Sequence, residues 1–388
     1  MELTDYALNE RHKVIVRLRG KGTSWERIAD EVGLNERSVR RAYKAIQRRA
    51  AQHGLSPDHD MTHTVPFGYK VKGVSTLYNE DGQLTAQWVK SQADDKARAE
   101  ALLEAIENAS SALPRFKPVK APKTVDEDLA SLLTITDFHL GMKAWHASDG
   151  EDWDVKIAKD VFLNAINDML TGSPRSGVGI LNQLGDFFHW DGLIPVTPTS
   201  QHVLIGTDDR YSKLVEMTIA IMDEAIKMML GRFGKVVVVQ AEGNHDLSSS
   251  VWMRKYIKHR FADDDRVEVI DNDFPYYAYL HGHTMLGFHH GHKMRMANLQ
   301  KLFASEPRFR EMWGKARHAY IHCGHLHHER VLDDAGCTIE QHPTLAARDH
   351  YSSSHGYVSQ RGAKVITYDK LDGEIHRVTV RPRYDKDH

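Results

Sequence analysis

The stretch that decides the fold is residues 178–189, VGILNQLGDFFH, where a short apolar run leads directly into glycine, a carboxylate and an imidazole. A run of this length that stops at glycine predicts a strand buried inside a sheet. The same change occurs after residues 130–136, ASLLTIT, which lead into Asp137, Phe138 and His139. Both segments therefore predict buried strands with metal-ligand side chains at their carboxyl ends.

Outward from this stretch, strands alternate with long amphipathic segments. Apolar periodicity predicts helices over residues 155–170, 209–230 and 248–261, and another strand over residues 235–240, KVVVVQ. This alternation indicates an α/β domain, whose sites lie at the carboxyl ends of the strands. After about residue 265 long helices disappear from the pattern, and we expect a second, mostly antiparallel sheet. Its predicted strands are residues 276–280, 284–289, 319–322, 364–368 and 375–381.

Five of the predicted strand ends carry side chains that bind divalent metal ions. Two ions roughly 3.5–4 Å apart require a carboxylate that bridges them and neutral imidazoles that complete each shell. A mixture of carboxylate, amide and imidazole ligands favours Mn²⁺, Fe²⁺ or Zn²⁺ over Ca²⁺ or Mg²⁺. The expected chemistry is in-line attack on phosphorus by a hydroxide that bridges the ions. The five segments are residues 137–139 (DFH), 185–189 (GDFFH), 243–246 (GNHD), 290–292 (HGH) and 324–327 (GHLH).

In this order, the motifs DxH, GDxxH, GNHD, HGH and GHxH resemble those of the calcineurin-like metallophosphoesterase superfamily over about residues 129–385. The resemblance implies an α/β fold, a four-layer αββα sandwich, that binds two divalent ions, with Mn²⁺ expected and Fe²⁺ or Zn²⁺ as alternatives. It implies that Asp186 bridges the ions, that His245 is the general acid, and that Asp246 orients His245. The implied ligands are Asp137, His139 and His327 for the first ion, and Asn244, His290 and His325 for the second.

Two features of these motifs leave alternatives. HGH occurs twice, at residues 281–283 and 290–292. Because a predicted strand leads directly into the second triplet, we expect His290 rather than His281 to be the ligand. The sequences GDFFH and DFHLG also resemble the double-strand-break repair nucleases of the superfamily. In that branch the histidine equivalent to His189 lies near the scissile phosphate, so His189 is a candidate catalytic residue, with packing beside the site as the alternative.

The first 50 residues differ from the rest of the chain in charge. They contain twelve Lys or Arg and seven Asp or Glu, whereas the whole chain has a formal net charge of −2. The pattern predicts one helix over about residues 7–19, a second from residue 23 or 24, a turn at Gly33, and a third helix capped by Asn35. This pattern resembles helix-turn-helix DNA-binding domains, whose recognition helix lies in the major groove. A protein-docking module is the alternative. The implied DNA contacts are Arg37, Arg40, Arg41 and Lys44.

We expect three regions along the chain. Residues 1–52 form the small all-α helix-turn-helix domain, residues 53–128 a linker, and residues 129–388 the metallophosphoesterase domain. Within the linker, alternation over residues 68–92 around a glycine turn predicts a β-hairpin, and the composition of residues 94–112 predicts a helix.

Composition excludes several classes of protein. No apolar run approaches the roughly 18 residues of a transmembrane helix, and the polar first residues lack the apolar core of a signal peptide. Two cysteines among 388 residues exclude a disulfide scaffold and fit a reducing cytoplasm, where we expect the protein. Of the 25 histidines, 21 follow residue 130, which assigns the expected metal chemistry to the later part of the chain. The sequence leaves the oligomeric state open, a dimer included.

Together these features favour a DNA nuclease, a dinuclear metal-dependent phosphodiesterase that the helix-turn-helix module directs to DNA. One alternative is a phosphomonoesterase or cyclic-nucleotide phosphodiesterase with a regulatory N-terminal domain. Another is a non-catalytic DNA-binding regulator or packaging factor, against which the complete set of ligand-type residues argues. The order of the modules resembles phage- or prophage-encoded proteins of DNA metabolism.

Overall fold

The computed structural model describes residues 3–52, 69–78, 84–93, 116–192, 195–198, 204, 207, 210–356 and 358–383. The chain divides into two compact units, Met1–Ala101 and Leu102–His388, called here the N-terminal and C-terminal units. The predicted helix over residues 94–112 lies outside the described residues.

The N-terminal unit contains helices and a pair of strands. Its described elements are a 3₁₀ helix (Leu3–Tyr6), α1 (Glu10–Gly20), α2 (Trp25–Val32), α3 (Glu36–Gln52), β1 (Tyr69–Tyr78) and β2 (Leu84–Ala93). Strands β1 and β2 pair antiparallel, which is the pairing that the alternation of the sequence predicts.

Local capping determines where α2 and α3 begin. The Ser24 hydroxyl accepts a hydrogen bond from the amide of Arg27 at 3.4 Å, and the Asn35 side chain accepts one from the amide of Ser38 at 2.8 Å. Each bond satisfies an amide that has no partner within its own helix. Gly33 ends α2 with a left-handed backbone (φ 65°), which glycine adopts without a steric penalty. The turn between α2 and α3 is therefore set by these caps and by Gly33.

The C-terminal unit contains two sheets and the helices that cover them. Its described elements begin with β3 (Asp126–Ile135), α4 (His146–Asp149), α5 (Val155–Gly172), β4 (Ser176–Gln183), α6 (Tyr211–Leu230), β5 (Lys235–Gln240) and α7 (Leu247–Arg260). They continue with β6 (Val267–Val269), β7 (Tyr277–His281), β8 (Thr284–Phe288), α8 (Met296–Ser305), α9 (Pro307–Lys315) and β9 (His318–Cys323). They end with β10 (Arg330–Asp334), β11 (Cys337–Gln341), α10 (His350–Ser354), β12 (Ala363–Asp369) and β13 (Gly373–Val380).

The first sheet has six strands in the order β13-β12-β3-β4-β5-β6. Strands β3 to β6 are parallel to one another, whereas β12 and β13 join as an antiparallel extension. In β5, Val236 and Val238 pack against the helices on one face, and Val237 and Val239 pack toward the second sheet. A strand buried on both faces needs apolar residues at successive positions, which explains the run KVVVVQ.

The second sheet has five strands in the order β10-β11-β9-β8-β7. The prediction of a mostly antiparallel sheet is wrong, because the β11–β9 and β9–β8 pairs are parallel. Parallel neighbours need a crossover, and α8 and α9 provide it between β8 and β9. Periodicity in the sequence missed these helices because they are only ten and nine residues long. Strands β12 and β13, which were expected in this sheet, complete the first sheet instead.

Three apolar clusters show that the unit has four layers. One cluster joins the first sheet to α5, α6 and α7, a second lies between the sheets, and a third joins the second sheet to α8 and α9. This order of layers is the αββα sandwich that the resemblance implies. Leu132, Ile180 and Phe288 are fully buried between the sheets. Each such side chain stabilises the fold by about 1.5–3 kcal/mol.

No helix among the described residues is long and apolar enough to cross a membrane.

Candidate metal centre

The predicted metal-binding and catalytic residues all follow the carboxyl ends of strands. Strands β3, β4 and β5 are parallel neighbours in the first sheet, and β8 and β9 are parallel neighbours in the second. The side chains that follow the carboxyl ends of these strands therefore lie at one edge of the sandwich. The residues follow β3 (Asp137, His139), β4 (Asp186, His189), β5 (Asn244, His245, Asp246), β8 (His290) and β9 (His325, His327).

The backbone of this edge is strained. Six described non-glycine residues have a positive φ, and five of them belong to the predicted site, with values between 50° and 74°. Such conformations cost roughly 1–3 kcal/mol each and cluster at functional sites. The strained backbone at these five positions lowers the free energy of unfolding, and the five ligand-type side chains lie together at this edge. The five residues are Asp137, His139, Asp186, His325 and His327.

The first ligand group consists of Asp137, His139 and His327, whose ligand atoms all lie within 4.8 Å of one another. Nε2 of His327 lies 3.2 Å from Oδ1 of Asp137 and 3.3 Å from Nε2 of His139. The other carboxylate oxygen of Asp137 accepts hydrogen bonds from the Thr136 hydroxyl at 2.7 Å and the His325 amide at 3.0 Å. Oδ1 is buried and has no hydrogen-bond partner among the described residues. An orphaned carboxylate oxygen beside two imidazole nitrogens fits a bound cation.

The second ligand group consists of Asp186, His290 and His325, again with ligand atoms within 4.8 Å of one another. The Nδ1–H of His290 donates to the carbonyl oxygen of Leu184 at 2.8 Å, which fixes the ring and leaves Nε2 to face the group. This Nε2 lies 3.1 Å from Oδ2 of Asp186 and 3.3 Å from Oδ1 of Asn244. The predicted ligands of the second ion therefore converge on one place.

The two ligand groups adjoin, because Nε2 of His290 lies 3.9 Å from Oδ1 of Asp137. Burial lowers the pKa of His290, but the carboxylates of Asp186 and Asp137 raise it to about 10. Burial raises the pKa of Asp186, but His290 and His245 outweigh this effect and hold it well below its usual value. The carboxylates are thus ionised and need positive charge beside them. A bound metal ion would supply that charge and would displace protons from the imidazoles.

The two HGH triplets occupy different places. His290 lies in the second ligand group, directly after β8. His281 lies at the β7–β8 hairpin, where its Nε2–H donates to the carbonyl oxygen of Asp128 at 2.8 Å. It belongs to none of the groups with metal-ligand spacing in the described part of the chain. The geometry therefore favours His290 as the ligand.

We expect His290→Ala to remove the second metal site and His281→Ala to leave it intact. Loss of a residue that merely orients a metal-binding histidine lowers affinity by roughly 10–100-fold, and loss of the ligand itself costs more. Isothermal titration calorimetry with Mn²⁺ measures the outcome. The stoichiometry should fall from two ions to one in His290→Ala only. The same stoichiometry in both variants would contradict the assignment.

His245 lies beside the ligand groups, and the backbone holds its ring. Its Nδ1–H donates to the carbonyl oxygen of His189 at 2.7 Å, and the two rings stack with their centres 5.5 Å apart. The His245 ring also lies 4.9 Å from that of His139. Burial lowers the pKa of His189 to about 3, and its Nδ1 lies 3.3 Å from Nδ1 of His139. The structure thus places both candidate catalytic histidines next to the first ligand group.

Asp246 was predicted to orient His245, but the described contacts include no hydrogen bond between the Asp246 carboxylate and the His245 ring. The fully buried Asp246 carboxylate accepts hydrogen bonds from the amides of Phe187 at 2.7 Å and Gly243 at 2.8 Å. It therefore joins the loop after β4 to the loop after β5. Burial and the nearby Asp186 raise the pKa of Asp246 to about 8. Adjacency in sequence could not reveal these two partners, because they lie in the loops after β4 and β5.

Two carboxylates near the site were missed by the sequence motifs. Asp349 lies close enough to His189 and His327 for its negative charge to favour the protonated form of both rings. This contribution raises the pKa of each ring. Asp191 accepts hydrogen bonds from the amides of Ser248 at 2.6 Å and Ser249 at 2.9 Å, at the start of α7. Both carboxylates act on residues far away in the sequence, so motif spacing could not have identified them.

A further group with metal-ligand spacing, His322, Glu340 and His342, is buried outside the centre. The Glu340 carboxylate already accepts hydrogen bonds from Lys364 at 2.6 Å and Arg377 at 2.9 Å. These two cations balance the negative charge of Glu340. The arrangement is therefore a buried ion-pair network in which no metal ion is needed to compensate the carboxylate.

The four predicted DNA contacts lie on α3 of the N-terminal unit. They are Arg37, Arg40, Arg41 and Lys44, all of which are exposed. Arg40 donates from Nε to the Glu36 carboxylate at 2.7 Å, and its guanidinium lies 5.5 Å from the centre of the Trp25 ring. Val39 is fully buried in the core of the unit. The helix therefore has a buried apolar side and an exposed basic side.

Neither a protein-family model nor a curated protein matches the sequence. A conserved protein from Streptococcus pneumoniae TIGR4, described as a predicted phosphoesterase, is 11% identical, with 66% of this chain and 94% of that chain covered and a TM-score of 0.28. Vps29 from Entamoeba histolytica, solved with zinc, is 13% identical, with 64% and 98% covered and a TM-score of 0.26. The phosphopantetheinyl hydrolase from Mycobacterium tuberculosis is 13% identical, with 56% and 90% covered and a TM-score of 0.25. Similarity this low carries no functional argument, so the function must be inferred from the geometry of the site.

Proposed function

We propose that the C-terminal unit is a metal-dependent phosphodiesterase with two divalent ions and with DNA as its substrate. The observation that carries this proposal is that two ligand groups meet at the buried carboxylates of Asp137 and Asp186. Nε2 of His290 lies 3.1 Å from Asp186 and 3.9 Å from Asp137, which brings the groups close enough to act on one phosphate. Sites of this kind clamp the attacking and leaving oxygens of an in-line displacement.

The donor atoms fit two transition-metal ions. Four imidazole nitrogens with carboxylate and amide oxygens favour Mn²⁺, Fe²⁺ or Zn²⁺, and we propose Mn²⁺. When bound, the ions supply Lewis acidity toward the phosphoryl oxygens and the attacking water. The residues that would hold them are Asp137, His139 and His327 for one ion, and Asn244, His290 and His325 for the other, with Asp186 as the carboxylate that both would share.

His245 supplies the proton for the leaving oxygen. Because its Nδ1–H is engaged by the carbonyl of His189 at 2.7 Å, Nε2 is the atom left to carry a transferable proton. The His189 ring stacks beside the His245 ring, with its centre 5.5 Å away. A positioned general acid of this kind contributes about 10²–10⁴-fold to the rate.

The same centre would serve a phosphomonoesterase or a cyclic-nucleotide phosphodiesterase. The exposed basic side of α3 favours DNA among these substrates, because clustered cations bind the phosphate backbone. A non-catalytic DNA-binding regulator would have no use for five strained ligand residues, each of which lowers stability. We therefore propose that α3 directs the enzyme to DNA and that the centre cleaves it.

The catalytic part of the proposal is tested with small chromogenic esters. The full chain should hydrolyse bis-p-nitrophenyl phosphate, a diester, only when Mn²⁺ is added, and should hydrolyse p-nitrophenyl phosphate, a monoester, more slowly. A preference for the monoester would favour a phosphomonoesterase. No turnover of either ester with Mn²⁺, Fe²⁺ or Zn²⁺ would contradict an enzymatic function.

Neutralising the exposed side of α3 is expected to weaken DNA binding. The triple variant Arg37→Gln, Arg41→Gln, Lys44→Gln loses three positive charges, and each phosphate contact contributes about 0.9 to the slope of log affinity against log salt. Fluorescence anisotropy of a labelled duplex at several salt concentrations should therefore give a slope shallower by about 2 to 3. Hydrolysis of bis-p-nitrophenyl phosphate should stay unchanged.

The control for this experiment removes three exposed cations from α8 and α9 of the C-terminal unit. The variant Lys301→Gln, Arg308→Gln, Arg310→Gln should keep the salt slope of the unmodified chain. A slope in the α3 variant equal to that of the unmodified chain would exclude α3 as the DNA anchor.

A further inference from the structure

A cavity of about 440 Å³ opens directly beside the second ligand group. Its walls come from the loop after His290, from the turn that carries His325, and from strands at the edge of the second sheet. The volume lies within the range of small-molecule pockets, roughly 300–1,000 Å³. Because His325 itself lines the cavity, a molecule bound there would extend from a phosphate held at the centre.

The charged groups of the cavity are all basic. Lys293, Arg295 and Arg330 line it, and none of its described lining residues is acidic. Lys293 pairs with Glu242, whereas Arg295 and Arg330 are exposed and form no ion pair in the described part of the chain. Arg295 is also the N-cap of α8, whose first turn has no side-chain cap. Both arginines and the start of this helix favour an anion.

Part of the remaining wall is apolar. Leu326 lies between two ligand histidines in sequence, yet 57% of its surface is exposed. Met294, Met296 and Leu332 are half-buried along the same cavity. A large exposed leucine at the rim of a polar centre has no role in holding metal ions. It provides a surface for a flat or apolar part of a ligand.

One wall of the cavity is held rigidly. The His292 ring stacks on His289 with centres 5.6 Å apart, and His289 stacks on Tyr276 at 4.3 Å. The Nδ1–H of His289 donates to the carbonyl oxygen of Pro275 at 2.9 Å. The loop that carries Arg295 thus begins next to three stacked rings, those of Tyr276, His289 and His292. This packing pre-organises the cavity for binding.

We propose that this cavity binds the nucleotide unit next to the scissile phosphate. The base and sugar lie against Leu326 and the two methionines, and the further phosphate of that unit lies between Arg295 and Arg330. Guanidinium groups bind phosphate through paired, charge-assisted hydrogen bonds, which suits these two side chains. This inference rests on the proposed phosphodiesterase function and adds to it a subsite that selects extended substrates over small diesters.

The test compares two ligands that differ by one phosphate. Isothermal titration calorimetry in the presence of Mn²⁺ measures the affinity of thymidine 5′-monophosphate and of thymidine 3′,5′-bisphosphate for the full chain. We expect the bisphosphate to bind at least about tenfold more tightly, since a hydrogen bond to a charged group is worth about that factor. Equal affinities for the two ligands would overturn the proposal.

The double variant Arg295→Gln, Arg330→Gln should lose the preference for the bisphosphate and keep its affinity for the monophosphate. Both side chains are exposed, so the variant should fold, and its thermal unfolding curve verifies this. Arg310→Gln, which removes an exposed arginine outside the cavity, is the matched control and should retain the full preference. An undiminished preference in the double variant would also overturn the proposal.

Hydrolysis of bis-p-nitrophenyl phosphate separates this proposal from the proposed function. If the unmodified chain hydrolyses the diester but shows no preference for the bisphosphate, the subsite is refuted and the enzymatic function stands. If it prefers the bisphosphate but hydrolyses no diester, the enzymatic function is refuted and the cavity stands as a nucleotide-binding site.

Discussion

Asp186→Asn is expected to abolish the Mn²⁺-dependent hydrolysis of bis-p-nitrophenyl phosphate. The Asp186 carboxylate is buried and lies 3.1 Å from Nε2 of His290. Its negative charge also acts to raise the pKa of His139 and His327 in the first ligand group. Asparagine keeps the size of the side chain and an oxygen that accepts from the His245 amide, but it removes the charge. Loss of several kcal/mol of metal-assisted stabilisation corresponds to about a thousandfold or greater drop in turnover.

The matched control is Asp271→Asn, which removes a carboxylate that pairs with Lys255 and Lys258 away from the centre. This variant should keep the turnover of the unmodified chain and two bound ions per chain. Unfolding curves recorded without metal show whether Asp186→Asn still folds. If folded Asp186→Asn retains turnover within tenfold of the unmodified chain, the assignment of a shared carboxylate is wrong.

His245→Ala should retain both metal ions and lose most of its turnover on DNA. The loss of the proton donor lowers the rate by about 10²–10⁴-fold when the leaving group is a sugar hydroxyl. Turnover of bis-p-nitrophenyl phosphate should fall much less, because p-nitrophenolate leaves without needing a proton. Steady-state kinetics on both substrates, with the metal content measured in parallel, check this result.

The control for His245→Ala is His259→Ala, which removes an exposed histidine from α7. Its turnover on both substrates should equal that of the unmodified chain. The same large loss on DNA and on the nitrophenyl ester would show that His245 does not act as the general acid. A loss of bound metal would show that it is a ligand instead.

Much of the first sheet could be predicted from the sequence because its strands are buried on both faces. The run KVVVVQ, for example, matches β5 at both ends, Lys235–Gln240. The ligand residues could be predicted for a related reason. Parallel strands place their carboxyl ends at one edge, so Asp137 and Asp186, which follow β3 and β4 within three residues, had to lie close together.

The second sheet and the finer contacts depend on interactions that leave no local pattern. The parallel pairing of β8 with β9 requires two short helices, the second of which begins at Pro307, and neither has a long apolar repeat. Asp246 bonds to the amide of Phe187, 59 residues earlier, so its partner cannot be identified from its neighbours. The cavity combines residues from the loop after His290 with Leu326 and Arg330, and only the folded chain brings these together.

Cleavage of labelled DNA by the full chain in Mn²⁺ tests the central claim most directly. Single-stranded DNA, duplex DNA, RNA, cyclic nucleotides and a phosphomonoester are incubated in parallel, each with the unmodified chain and with Asp186→Asn. We predict that DNA is cleaved by the unmodified chain, that chelation of the metal stops the reaction, and that Asp186→Asn is inactive. Hydrolysis of the monoester or of cyclic nucleotides with all DNA left intact would contradict the account, as would equal DNA cleavage by both proteins.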